Sequence, residues 1–179
     1  MRNDKWGWII AYIIADNIIS PFGETSEENY LSVKAGRSGI RTYEPGTCNI
    51  PEGFYASLLF EDFETLALRS AQKAIANAQK DIGNKQKAIG NARLELKGKR
   101  TAFILSSTKG NIEENISLAD SAQRIASQLG IDSQPIVVCN ACISGLSALI
   151  LGNRLIDSGL YDSAIVCGFD TNLQFILSG

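Results

Sequence analysis

Pro135-Ile136-Val137-Val138-Cys139-Asn140-Ala141-Cys142-Ile143-Ser144-Gly145 is the stretch on which the reading of this chain turns. The β-branched run Ile136 to Val138 reads as a short buried strand, and the apolar run from Gly145 to Ser158 reads as a core helix. Only a tight elbow fits between them. Ala141, Ser144 and Gly145 are small enough for a sharp turn and close backbone approach, which leaves the Cys142 side chain where strand hands over to helix. The first turn of a helix offers unpaired N–H groups and the positive end of the dipole. Both favour a thiolate, so a cysteine there is expected to ionise below the roughly 8.5 of a free thiol. Cys142 is the candidate sulfur nucleophile.

Downstream, Gly159 stops the helix and Ala164 to Gly168 forms a last strand. Upstream, Leu118, Ala122, Ile125, Ala126 and Leu129 trace the buried face of a helix that Gly130 ends, and Thr101 to Ser107 is a strand running into the polar Thr108-Lys109-Gly110-Asn111. Helices alternating with short apolar strands predict a parallel-rich α/β sheet covered on both faces. Further upstream, Phe63, Leu66, Ala67, Ser70, Ala71, Ala74, Ile75 and Ala78 recur at helical spacing, so Glu61 to Gln79 is predicted as an amphipathic helix with Arg69 and Lys73 on its wet side.

Ile75-Ala76-Asn77, Ile82-Gly83-Asn84 and Ile89-Gly90-Asn91 form a small repeat at two-turn spacing, read as a helical extension or a solvent-facing excursion at about 75–100. Gly83 and Gly90 each cost about 1 kcal/mol relative to alanine in a helix interior. From Lys85 to Arg100 basic residues predominate, which fits a solvated face or the docking of an acidic partner. Nearer the start, Ser20-Pro21-Phe22-Gly23 is a turn, Thr25-Ser26-Glu27-Glu28 opens a short helix to about Lys34, and Gly36-Arg37-Ser38-Gly39-Ile40 breaks it. Arg41 to Tyr55 reads as loop, with Cys48 an incidental thiol within it. Trp6 to Ala15 superficially resembles a signal peptide but lacks a convincing cleavage site, and is predicted as a buried first strand too short to span a bilayer.

The 179 residues fit one domain, and shares of 45% hydrophobic and 20% charged residues are those of an ordinary globular protein. A net charge of -2 gives no reason to expect a nucleic-acid partner, and no cofactor is implied. Four cysteines, Cys48, Cys139, Cys142 and Cys167, are too few and too irregular for a secreted disulfide scaffold, so a cytoplasmic home is expected. There is no histidine, the residue that most often serves a nucleophilic cysteine as general base. Cys139-Asn140-Ala141-Cys142 is formally a C-x-x-C, but zinc would need further ligands that the chain does not offer in any metal-site pattern. A thioredoxin-like redox motif and a pair of buried core thiols are the other readings of the same residues.

The elbow Asn140-Ala141-Cys142-Ile143-Ser144-Gly145 resembles the active-site turn of the β-ketoacyl-acyl-carrier-protein synthases, members of the thiolase superfamily. Ser20-Pro21-Phe22-Gly23, Gly36 to Ile40, Thr108-Lys109-Gly110 and Val166-Cys167-Gly168-Phe169-Asp170 agree in order, so the resemblance runs over most of the chain. It implies an incomplete N-terminal half of a thiolase-like fold, spanning residues 1–179 with the Ile-x-Asn repeat as a variable segment. It further implies an acyltransferase of fatty-acid or polyketide synthesis in which Cys142 takes an acyl group from a carrier-protein thioester. The acyl group then condenses with a decarboxylated malonyl unit, and the Cys142 N–H is half of the oxyanion hole. The family's two histidines and lysine lie in a later region that this sequence does not contain. The expected partners are acyl carrier protein and a second copy or a complete synthase. A non-catalytic partner subunit and an α/β cysteine hydrolase are the alternatives.

Overall fold

The computed structural model describes residues 11–84, 94–112 and 114–170. At its centre is β3 (Thr101–Ser106), six consecutive buried residues, which is why this strand reads as a continuous apolar run. It pairs in parallel with β4 (Ile136–Val138) on one side and β5 (Ser163–Gly168) on the other, giving the order β4-β3-β5. Ser106 stands opposite both Val138 and Gly168, so the three strands end flush.

Alternation along β3 divides the core in two. Phe103 and Leu105 pack with Ile165 and Cys167 against α2 (Phe63–Asn84) and α3 (Leu118–Leu129), through Phe63, Ala67, Ala71, Ala122, Ile125 and Ala126. Ala102 and Ile104 point the other way and join Ile136, Val138, Ala164 and Val166 against α4 (Ser144–Asp157), through Ala148, Leu151 and Leu155. A Cβ on Gly152 would lie 3.4 Å from both Ala164 Cβ and Val166 Cγ2, so this glycine sets how closely α4 approaches the strands. The predicted parallel sheet with helices on both faces is the observed one.

The local signals place most helices well. Ser117 caps α3 by accepting from the Asp120 N–H, and Gly130 ends it at φ 71°. Thr25 and Glu28 form a reciprocal capping box on α1 (Ser26–Lys34). The predicted turn at Ser20 is closed by two backbone hydrogen bonds of 3.0 Å with Gly23. Gly23 is required there, since a Cβ would come within 2.6 Å of Glu28 Cβ.

Four expectations change. The predicted loop over Arg41 to Tyr55 contains an antiparallel pair, β1 (Arg41–Tyr43) with β2 (Phe54–Ala56), each too short to show alternation in sequence. Helix α2 starts at Phe63 and runs past Gln79 to Asn84, so its predicted bounds change, while the first two Ile-x-Asn copies lie on it as the expected helical extension; the third lies outside the described residues. Only the Ala11–Ala15 part of the predicted first strand is described. It joins no sheet and leaves Tyr12 and Ile13 75% and 79% exposed. Strand propensity alone gives residues 11–15 no ladder partner among the described residues. The segment that follows is tied instead to α2, by Asn17 Nδ2 donating to Ser70 Oγ at 3.0 Å and by Lys73 and Arg69 pairing with Glu24 at 2.6 and 3.2 Å. Finally, β4 is not buried throughout. With one neighbouring strand among the described residues it leaves Val137 37% exposed.

Of the basic stretch, residues 94–100 are described. Arg100 forms an exposed two-pronged pair with Asp162 and donates to Gly159 O and Leu160 O at 3.1 and 3.2 Å, which fastens the chain entering β3 to the chain entering β5. Among the described residues no helix is long and apolar enough to cross a membrane.

Candidate functional site

The flush strand ends create the site. β3 is followed by α3 on one face of the sheet and β4 by α4 on the other, so the loops leaving these neighbouring strands part in opposite directions. A crevice between diverging loops at the carboxyl ends of parallel strands is where open α/β sheets bind ligands. Thr108 from the β3 loop and Cys139 from the β4 loop face each other there, the Cys139 thiol donating to Thr108 O at 3.4 Å.

The elbow itself is a turn of the predicted kind. Ala141 carries the strained conformation, with φ 46°, so the small residue before Cys142 turns the chain. The Ile143 N–H donates to Asn140 O and the Ser144 N–H to Ala141 O, both at 3.1 Å, winding the backbone into α4. Ser144 is buried, and its hydroxyl accepts from the Asn140 N–H at 2.8 Å while donating to Ala141 O at 2.6 Å. One side chain thus pins both ends of the strained residue. The Asn140 amide reaches forward to Ser147 Oγ at 3.0 Å, adding a tie to the first turn of the helix. No side chain caps α4, whose N-cap position is occupied by Ile143. Helix-opening N–H groups without a side-chain acceptor are suited to holding a developing negative charge.

Cys142 stands exposed just before this helix, and Cys139 is exposed just after β4. The reading of the pair as buried core thiols is therefore set aside. Cys167 is the buried one, lying in β5 among apolar side chains, and burial pushes its thiol up to about 12. Cys48 is half-buried in the loop between β1 and β2, at φ 53°.

Sequence reasoning did not identify the clamp that shapes the other wall. Asp170 Oδ1 accepts from Ser107 Oγ at 2.7 Å, from the Thr108 N–H at 3.0 Å and from Thr108 Oγ1 at 2.9 Å. Ser107 Oγ in turn accepts from the Gly110 N–H at 2.8 Å. Asp170 follows β5 and Thr108 follows β3, so the clamp joins residues far apart in the chain and leaves no local pattern to read. The same holds for the pinning role of Ser144, whose small size is legible in the sequence but whose hydrogen-bond partners are not. Among the described residues no group of three or more His, Cys, Asp or Glu side chains is placed to hold a metal ion.

The outer side of α4 carries a second feature. Ile143, Leu146, Leu149 and Ile150 are 53%, 59%, 47% and 45% exposed, an apolar face that starts beside Cys142 and runs along the helix. The expected core helix is thus covered on its sheet side alone among the described residues. No known protein-family model matches this chain, and no curated protein matches it.

Proposed function

We propose that this chain is a β-ketoacyl-acyl-carrier-protein synthase-like protein in which Cys142 accepts an acyl group, and that it needs a companion to complete condensation. The observation that carries the reading is the position of Cys142: exposed, on a strained strand-to-helix turn, at the carboxyl end of a parallel sheet and ahead of an uncapped helix. In the first half-reaction the Cys142 thiolate attacks the carbonyl carbon of a carrier thioester. The tetrahedral oxyanion is held by backbone N–H donors of the elbow, and collapse expels the carrier thiolate, which takes up a proton. Both requirements are local to the elbow. Condensation asks for more, because decarboxylating a malonyl unit develops an enolate that the related synthases stabilise with histidines, and this sequence has none.

The apolar face of α4, exposed among the described residues, supports a companion of matching apolar character, with carrier-linked substrate approaching Cys142 at the strand ends where the β3 and β4 loops part. That face also favours a second reading, a non-catalytic subunit that packs on a complete synthase. Acylation separates the two. Purified protein incubated with acyl-carrier and malonyl-carrier thioesters is expected to yield acyl-Cys142 without β-ketoacyl product, and limiting iodoacetamide is expected to label Cys142 ahead of Cys48, Cys139 and Cys167. An unacylated Cys142 supports the non-catalytic subunit. Product formed by the chain alone, and abolished by Cys142→Ala, overturns the need for a companion. Loss of one oxyanion-type donor costs about a hundred- to a thousand-fold in rate, so a chain without the histidines should show no measurable turnover.

A further inference from the structure

We infer that Cys139 and Cys142 form a reversible dithiol–disulfide pair that masks the elbow thiol under oxidising conditions. The masking role rests on the reading of Cys142 as the nucleophile; the pair itself rests on the geometry of the turn. Both thiols are free and exposed, and they sit on either side of the residue that reverses the chain, Ala141 at φ 46°. A disulfide tolerates Cα atoms no more than about 7 Å apart, and residues three apart meet that limit where the backbone turns rather than extends. The hydrogen bonds from Ile143 to Asn140 and from Ser144 to Ala141 close the successive turns 140–143 and 141–144, which hold Cys142 inside the bend that begins directly after Cys139. What Cys139 would give up is slight, a thiol contact of 3.4 Å to Thr108 O, since sulfur is a weak donor. The other two thiols offer no competing partner. Cys167 is buried in β5, and Cys48 lies in the separate β1–β2 loop.

The oxidant is a small-molecule disulfide such as glutathione disulfide. The thiolate of Cys142 attacks one of its sulfurs, forming a mixed disulfide and releasing one glutathione thiolate. The Cys139 thiolate then attacks the Cys142 sulfur, forming the Cys139–Cys142 bond and releasing the second. Two electrons pass from the cysteine sulfurs to the small disulfide, and the two cysteine protons end on the released thiols. In the oxidised form no thiolate is available to an acyl thioester. A dithiol reductant restores it.

Cys139 and Cys142 share one tryptic peptide, residues 125–154, which contains neither of the other cysteines. The full chain is equilibrated in glutathione buffers from reducing to oxidising, trapped with iodoacetamide, digested and weighed. The peptide is expected to pass from two alkyl groups to none, two hydrogens lighter and free of glutathione, and to revert with dithiothreitol. Cys139→Ser should instead keep a glutathione adduct on Cys142, and Cys142→Ser should keep one on Cys139. Two alkylatable thiols in the most oxidising buffer, a lasting adduct on the wild-type peptide, or a link between two chains would each overturn the pair. Acyl acceptance is read separately. A disulfide that forms in a protein never acylated leaves the pair standing and removes the synthase reading, whereas acylation that persists in fully oxidised protein overturns the masking.

Discussion

α3 and α4 are both crossover helices of one parallel sheet, yet they meet solvent in opposite ways. α3 packs Ala122, Ile125, Ala126 and Leu129 inward and turns Gln123, Arg124, Ser127 and Gln128 outward, with a serine cap at one end and a left-handed glycine at the other. α4 packs Ala148, Leu151, Gly152 and Leu155 inward but presents Leu146, Leu149 and Ile150 outward, and opens without a side-chain cap. A helix with a polar outer face and satisfied ends is finished by its own sequence. One with apolar residues on both faces needs a second covering. The difference teaches that the helix following the candidate nucleophile is the part of this molecule whose surroundings are incomplete among the described residues.

The largest expected effects test whether the inner faces are equally sealed despite that contrast. Phe103→Ala removes a fully buried ring from the α2–α3 side, and Ile104→Ala a fully buried side chain from the α4 side. Losses of about 3–5 and about 2–5 kcal/mol are expected in urea unfolding. A cost for Ile104→Ala far below that range would mean that α4 is only loosely docked, and the comparison would fail.

A smaller effect sharpens the sealed side. Burial raises the Cys167 thiol from 9.0 to about 12, so the folded state keeps its proton after the unfolded chain has lost it. The corresponding stability is complete below the unfolded value near 9.0 and is lost as pH rises from there towards about 12. The urea midpoint of the wild-type protein should therefore fall more steeply above pH 9.0 than that of Cys167→Ala. Parallel curves would show that water reaches this face of β5.

The smallest effect on folding falls on the outer face of α4. Leu149→Ser touches an exposed position, so stability should change by no more than about 0.5 kcal/mol. Association is where it should register. The wild-type chain is expected to self-associate in light scattering and to bind an apolar dye, and Leu146→Ser with Leu149→Ser to reduce both. A wild-type chain that is monomeric and dye-free would remove the case for a companion on α4.

The strands at Thr101, Ile136 and Ala164, the helices at Leu118 and Ser144, and the cap at Thr25 were all legible in the chain. Each depends on residues within a few positions of one another: a β-branched run, a helical period, a hydroxyl three residues before a carboxylate. The turn around Cys142 was legible for the same reason, since an elbow is a local object. The sequence alone also showed that these 179 residues contain no histidine. Tertiary structure decided the rest. It placed Asp170 on Thr108, put the Cys139 thiol against the β3 loop, made β4 an edge among the described residues, and drew residues 17–24, just after the apolar run, onto α2. Those outcomes depend on which segments become neighbours across the sheet. Propensity and periodicity describe how a segment is built, and carry no information about what it will be set against.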